Sequence, residues 1–150
     1  MKSIRQLFIL VILVASCDGT REKANSETPR SKIKLGDTVY LESGVKYLYM
    51  KKGSGDPVLP NKRIITHINL GVNGKIVWTT YQPLRPLEFT YKVQSMIKGF
   101  DEVLQYMVSG DQIMAIIPPE HGYGETGSGP DIPPNATLHF DIEVLKVSDK

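Results

Sequence analysis

The chain has 150 residues, of which 41% are hydrophobic and 23% charged, and its formal net charge is +2 at pH 7. This length allows one domain with short attachments, and the single Cys excludes an intrachain disulfide framework. Removal of a signal containing Lys2 and Arg5 leaves 16 basic against 16 acidic residues, so no basic excess favours nucleic-acid binding.

The N-terminus has the pattern of an export signal. Two basic residues precede a wholly apolar run at positions 7–14, and the letters VAS then precede Cys17. The run is too short for a permanent transmembrane helix. Because a lone Cys in an exported protein has no disulfide partner, we expect residues 1–16 to be a lipoprotein signal peptide and Cys17 the lipid attachment site. The alternative is an ordinary signal peptide that contains a Cys.

A polar connection follows the signal. Residues 18–31 have no apolar periodicity, which predicts a flexible tether. We therefore place the acylated Cys and the tether at residues 17–37 and the folded domain at residues 38–150.

The domain begins with short strands. Segments of strand composition are predicted at 45–51, 64–70, 76–79 and 87–91. The dipeptide Asn73-Gly74 predicts a two-residue hairpin turn between the second and third of these strands.

The C-terminal third contains the one predicted helix. Apolar residues recur at helical spacing at Phe100, Val103, Leu104 and Met107. This predicts a helix over residues 101–109 with Phe100 at its start, and Gly110 follows as a C-terminal cap. Strands are predicted at 112–117 and 137–144, on either side of a loop rich in Gly and Pro. Several short strands and one short helix predict an α+β domain, in which an antiparallel β-sheet wraps around the helix.

Three motifs of this region carry a family resemblance. They read IKGF at residues 97–100, PEHGYG at 119–124 and IPPNATLHFD at 132–141. In this order and spacing, they resemble the C-terminal half of the FKBP-type peptidyl-prolyl cis-trans isomerases. The resemblance implies the FKBP fold, isomerisation of peptide bonds that precede proline, and no cofactor or metal.

The resemblance also implies an apolar pocket. Its lining residues are expected to be Val77, Trp78, Leu87, Phe89, Met96, Ile97, Phe100, Tyr123, Ile132 and Phe140. Among them, Phe100 is expected to lie under the proline ring. The Tyr123 hydroxyl and the backbone N–H near Ile97 are expected to donate hydrogen bonds to substrate carbonyls. For Phe100, Ile97 and Phe140, the simpler interpretation from residue type alone is core packing.

The N-terminal half departs from the family pattern. Counting without gaps from the hairpin turn places His67 at the family's pocket Tyr, and Val77 and Trp78 at its Phe-Asp pair. A shift of one residue places Ile68, Trp78 and Thr79 there instead. In either register, the pocket Asp is absent. This departure resembles a subgroup of FKBP-like lipoproteins associated with gliding motility.

Two functions from different classes follow. The first is a membrane-anchored isomerase, acting as a monomer on proline-containing polypeptides outside the cytoplasm. The second is a non-catalytic FKBP-like binding module or chaperone in a surface or motility assembly. The absent Asp favours the second function, whereas the motifs around Phe100 and Tyr123 favour the first. The three His residues are scattered without metal-ligand spacing.

Overall fold

The structure, a computed structural model, describes residues 24–25 and 28–149. Its strands are β1 (Ala24–Asn25), β2 (Thr38–Tyr40), β3 (Lys46–Lys51), β4 (Arg63–Val72), β5 (Lys75–Thr79), β6 (Leu87–Thr90), β7 (Gln112–Ile117) and β8 (Leu138–Ser148). One helix, α1, spans Lys98–Leu104, and a 3₁₀ turn spans Pro119–His121.

These strands form one sheet in the order β1-β2-β3-β7-β8-β4-β5, with β6 also paired to β4. All pairs are antiparallel except β1 with β2, which is parallel. The predicted α+β fold, an antiparallel sheet around one short helix, is confirmed.

The long strand β4 shows how the sequence produces the sheet. Its residues alternate between buried and half-buried positions along nearly the whole strand, as expected of a strand with one face on the core. The turn that follows contains Asn73 at φ 50° and Gly74 at φ 77°. Positive φ at both central positions is the type I′ geometry that matches the twist of a hairpin, so the predicted turn is confirmed.

Helix α1 packs its apolar side into the sheet. Phe100, Val103, Leu104 and Met107 are all buried there. An added Cβ at Gly99 would lie 2.4 Å from the Ile117 side chain, so glycine allows the helix to approach β7 closely.

The helix prediction over residues 101–109 is wrong at both ends. The helix begins at Lys98, before the predicted start at Phe100 and directly after the extended residue Ile97. It ends at Leu104 because the chain then tightens into i→i+3 bonds, from Tyr106 N to Val103 O and from Met107 N to Leu104 O.

The N-terminal segment from residue 28 is packed on the domain, although the sequence predicts a tether there. Residues 28–37 pack against the domain, with Ile33 only 4% exposed in the core. The Lys52 ammonium donates hydrogen bonds to the backbone carbonyls of Arg30 and Ile33, and the Arg30 guanidinium pairs with Asp111. The folded unit therefore includes residues before 38. The predicted signal peptide and Cys17 lie outside the described residues, where no structural statement is made. No helix within the described ranges is long and apolar enough to cross a membrane.

Candidate functional site

A pocket of about 700 Å³ opens beside the start of helix α1. Strands β4, β5 and β6, the helix start and the loop before β8 all contribute to it. Its lining residues are Ile68, Leu70, Val77, Trp78, Leu87, Ser95, Met96, Ile97, Phe100, Tyr123, Ser128, Gly129, Pro130, Asp131, Ile132 and Phe140. All nine residues proposed for the pocket as catalytic or substrate-binding are among them, namely Val77, Trp78, Leu87, Met96, Ile97, Phe100, Tyr123, Ile132 and Phe140.

An aromatic cluster forms the base of the pocket. The Phe100 ring is only 1% exposed, and its centroid lies 5.5 Å from that of Phe140, at an interplanar angle of 55°. Phe89 was also expected to line the pocket, but it is not among the lining residues. It packs against the Phe100 ring instead, with the centroids 6.2 Å apart. Tilted aromatic contacts of this kind hold the Phe100 ring in place.

The residue before α1 lines the pocket and has a backbone donor without a partner in the domain. Ile97 is the extended residue before the helix, and its carbonyl accepts hydrogen bonds from the N–H groups of Phe100 and Asp101. Among the hydrogen bonds of the described residues, the Ile97 N–H donates none. A backbone N–H without a partner beside an apolar pocket is available to a ligand carbonyl.

A compact loop positions Tyr123. The 3₁₀ turn orders its start, where Gly124 N donates to Pro119 O at 2.9 Å, and Gly127 N donates to Tyr123 O at 3.1 Å. At Gly127, φ is +69°, and an added Cβ would lie 2.3 Å from the Ile132 carbonyl oxygen. The loop therefore needs glycine at this position to fold back beside Ile132.

Strand β5 contributes Val77 and Trp78 to one wall of the pocket, which we call the β5 wall. The register of β4 and β5 shifts between Leu70 and Gly71. Two consecutive residues, Val77 and Trp78, consequently both line the pocket, although neighbours on a regular strand face opposite sides. Thr79 is not among the lining residues, and its hydroxyl donates to Asn69 Oδ1 at 2.6 Å.

The structure places residues from both of the registers left open in the pocket, since Val77 and Trp78 of one and Ile68 of the other all line it. Ile68 is 1% exposed and lines the pocket. His67 is absent from the lining; its ring stacks on Tyr81 at 4.4 Å, and its Nδ1 lies 2.9 Å from the Thr80 hydroxyl. Burial and the neighbouring Glu143 carboxylate raise the pKa of Tyr81 to about 12, so the stacked pair contains a neutral phenol at neutral pH.

The pocket is predominantly apolar, and one charged residue lines it. Asp131 is the only carboxylate among the lining residues, and it is exposed on the loop rather than on the β5 wall. No group of three or more His, Cys, Asp or Glu within the described ranges is arranged to hold a metal ion. The pocket can therefore strip water from an apolar ligand and offer a few hydrogen bonds at its edge.

Several lining residues were missed by sequence reasoning. These are Leu70, Ser95 and the loop residues 128–131, together with Ile68, which was considered only as one of two registers. The alternation of β4 is a signal for Ile68 and Leu70, because the buried positions of that strand include both. The loop residues have no such signal, since their positions depend on how the loop folds.

Comparisons with known proteins agree with this geometry. The sequence profile of the FKBP-type peptidyl-prolyl cis-trans isomerases matches residues 57–145. A probable FKBP-type peptidyl-prolyl cis-trans isomerase from Haemophilus influenzae is 38% identical over 115 residues, which cover 76% of this chain and 47% of that protein. An FK506-binding protein from Neisseria meningitidis is 37% identical over 99 residues, covering 65% of this chain and 91% of that protein.

Solved structures show the same fold. The crystal structure of FkpA from Escherichia coli has a TM-score of 0.70 at 31% identity, covering 77% of this chain and 54% of that chain. The chain belongs to the FKBP-type peptidyl-prolyl cis-trans isomerase family. It spans about half the length of the Haemophilus protein and of FkpA.

Proposed function

We propose that this chain is a peptidyl-prolyl cis-trans isomerase that assists the folding of proteins outside the cytoplasm. The observation that carries the proposal is the apolar pocket at the start of α1, with the Phe100 ring at its base and Tyr123 on its wall. Family membership supports the same activity.

An apolar pocket that excludes water is sufficient to catalyse isomerisation of a peptide bond that precedes proline. Rotation about a peptide bond that precedes proline is slow because amide resonance opposes it, with a barrier of about 18–20 kcal/mol. The twisted transition state has lost resonance and carries less charge separation than either planar state. A water-poor apolar site therefore binds the twisted amide better than the planar ones, and this difference in binding is catalysis.

The proposed roles follow from position. Phe100 lies beneath the proline ring, and the walls formed by Val77, Trp78, Leu87, Met96, Ile132 and Phe140 exclude water. The Tyr123 hydroxyl and the Ile97 N–H donate hydrogen bonds to substrate carbonyls on either side of the reacting bond. The reaction makes and breaks no covalent bond and neither group transfers a proton, so on this proposal it uses no cofactor.

We place the protein in the bacterial cell envelope. The supporting observations are the apolar run before Cys17 and the lone Cys itself. On this proposal, residues 1–16 are removed, a lipid on Cys17 holds the protein to a membrane, and the domain acts as a monomer on proline-containing polypeptides.

A second candidate function rests on one specific observation. The β5 wall presents Val77 and a 45%-exposed Trp78 where the family pattern has an Asp. A pocket altered at this wall could bind proline without catalysing isomerisation. The protein would then act as a non-catalytic binding module or chaperone in a surface or motility assembly.

A protease-coupled assay on a peptide containing an X–Pro bond separates the two candidates. The purified chain is compared with its Tyr123→Phe variant, and binding of the same peptide is measured in parallel. Acceleration that falls in the variant supports the isomerase. Peptide binding with no acceleration by the parent chain supports the binding module.

A further inference from the structure

The formal charge of the domain is distributed unevenly along the chain. Residues 28–56 contain six Lys and Arg against three Asp and Glu, a formal excess of +3. Residues 57–150, which carry the whole pocket, contain eight against ten. The basic excess of the domain is therefore confined to its N-terminal segment and the first strands.

Part of this excess forms a surface patch. Lys32, Lys34, Lys51, Leu35 and Met50 are all exposed, with Leu35 at 58% and Met50 at 51%; we call them the lysine patch. The two stretches that carry the patch lie side by side, because the Gly36 N–H donates to the Tyr49 carbonyl at 3.0 Å.

Partly buried contacts of the neighbouring residues fix the position of the patch on the domain. Lys52 donates to the carbonyls of Arg30 and Ile33, and the Ile33 side chain is buried in the core. The acids nearby only partly offset the lysines. Lys51 Nζ lies 3.8 Å from a Glu143 oxygen, and the Asp37 carboxylate accepts a hydrogen bond from the Lys34 N–H.

We propose that the lysine patch docks the domain onto an anionic lipid surface. Exposed lysines around two exposed apolar side chains fit such a surface, since lysines near anionic headgroups attract and apolar side chains enter the boundary. A lipid surface supplies, in one partner, both the anionic headgroups for the lysines and the apolar boundary for Leu35 and Met50.

Chain length supports the same partner. This step rests on the proposed lipid attachment at Cys17, eleven residues before Thr28. A fully extended chain of that length spans at most about 40 Å, so the lipid would keep the patch close to the membrane.

Docking by this patch leaves the pocket free. In the sheet order, β3 carries Met50 and Lys51, and β5, which carries Trp78, lies four strand positions away. At about 4.8 Å per position, the two strands are roughly 19 Å apart. None of the patch residues lines the pocket, so a domain resting on the patch has the β5 side of its pocket separated from the docked residues along the sheet.

Fluorescence quenching by brominated lipids tests this orientation on the full chain. Trp78 is the only Trp, so the parent chain reports on the pocket wall. Leu35→Trp in a Trp78→Phe background reports on the patch. In anionic vesicles, we expect strong quenching of the indole at position 35 and little quenching of Trp78. The contrast should be lost in neutral vesicles and in 1 M salt, where the screening length falls to about 3 Å.

Two further variants identify the cause. Lys32→Gln with Lys34→Gln, in the position-35 reporter, should lower the ratio of docked to undocked domain by about thirtyfold. The matched control is Lys75→Gln with Arg85→Gln, which removes two exposed cations outside the patch and should leave quenching unchanged. Circular dichroism checks that each variant is folded.

Several results would overturn the proposal. These are no quenching at position 35 in anionic vesicles, equal quenching in neutral vesicles, and stronger quenching of Trp78 than of position 35. Binding of an acidic polypeptide that competes for the patch, without quenching by lipid, would assign the patch to a protein partner instead. Co-sedimentation with neutral vesicles reports on the Cys17 anchor separately, so failure of the anchor is distinguished from failure of the patch.

Discussion

The Arg30 guanidinium pairs with the carboxylate of Asp111, which has no solvent exposure, although the two residues lie 81 positions apart. The same carboxylate accepts hydrogen bonds from Gly53 N at 2.7 Å and Val108 N at 2.8 Å. Three separate parts of the chain therefore meet at Asp111. One of them is the N-terminal segment that the sequence assigns to a tether.

Loss of Asp111 should destabilise the domain strongly. Asp111→Ala leaves two backbone donors and one guanidinium without their acceptor, and removal of one partner from a buried network costs roughly 3–5 kcal/mol. Arg30→Ala should cost less, about 1.5–3 kcal/mol before solvent screening, because Asp111 keeps two donors and the Arg30 side chain is 34% exposed. Urea denaturation measures both free energies of unfolding. Equal losses would show that the ion pair, rather than the backbone donors, dominates this network.

A second prediction concerns Cys17. If it carries the lipid, Cys17→Ala should move the chain from the membrane to the soluble fraction, or cause unprocessed precursor to accumulate. Fractionation followed by mass spectrometry of the N-terminus measures both. The matched control is Ser16→Ala, which keeps a small residue before the Cys and should leave fractionation unchanged. A Cys17→Ala protein that is processed and still membrane-bound would place the anchor elsewhere.

A third prediction concerns macrolide inhibitors of the family. By resemblance, the family's pocket Asp accepts a hydrogen bond from such ligands. Here Val77 and Trp78 form that wall, and the one lining carboxylate, Asp131, lies on the exposed loop. Loss of a hydrogen bond to a charged acceptor costs roughly 1.5–3 kcal/mol, so we expect affinity about ten- to a hundredfold below that of an Asp-containing homologue.

Titration of both proteins measures this difference. Trp78→Asp should recover part of the affinity, whereas Trp78→Asn, with a similar loss of the indole but no charge, should recover less. Parent affinity equal to that of the homologue would show that the carboxylate is not needed in this pocket.

Much of the sheet can be predicted because its strands follow simple patterns. Residues 112–117 are a short apolar run closed by two prolines, and the predicted strand there matches β7 at both ends. Other strands depend on partners that the sequence does not reveal. β4 extends to Val72, beyond the predicted residue 70, because its pairing with β8 and β5 continues up to the hairpin turn.

The N-terminal segment shows the limit of composition as evidence. Residues 28–37 are mostly polar, yet the segment packs on the domain, with Ile33 buried and with Lys52 and Asp111 as partners for its polar groups. Those partners are remote in sequence, so local hydropathy misses them. The site is different, since its motifs predict from the sequence that the helix start and the Tyr123 loop lie together. The resemblance implies that both Val77 and Trp78 line the pocket, but the register shift that lets two consecutive residues do so leaves no clear mark in the sequence.

The last prediction separates catalysis from folding at Phe100 and Tyr123. Tyr123→Phe removes one hydroxyl from a half-buried side chain and should lower isomerase activity with little change in the unfolding midpoint. Phe100→Leu should also lower activity, because a smaller side chain no longer fills the base of the pocket under the proline ring.

Because Phe100 is buried, its substitution should also lower the free energy of unfolding. A residue open to solvent on one side would lose little stability, but Phe100 is only 1% exposed and packs between Phe89 and Phe140. We therefore expect Phe100→Leu to cost about 1–2 kcal/mol, below the roughly 2–5 kcal/mol expected for Leu104→Ala in the core of the same helix. Activity is measured at a temperature where circular dichroism shows all variants folded. Under that condition, Leu104→Ala should retain most of its activity despite the larger loss of stability. Unchanged activity in both Phe100→Leu and Tyr123→Phe would show that catalysis does not depend on the base and hydroxyl of this pocket.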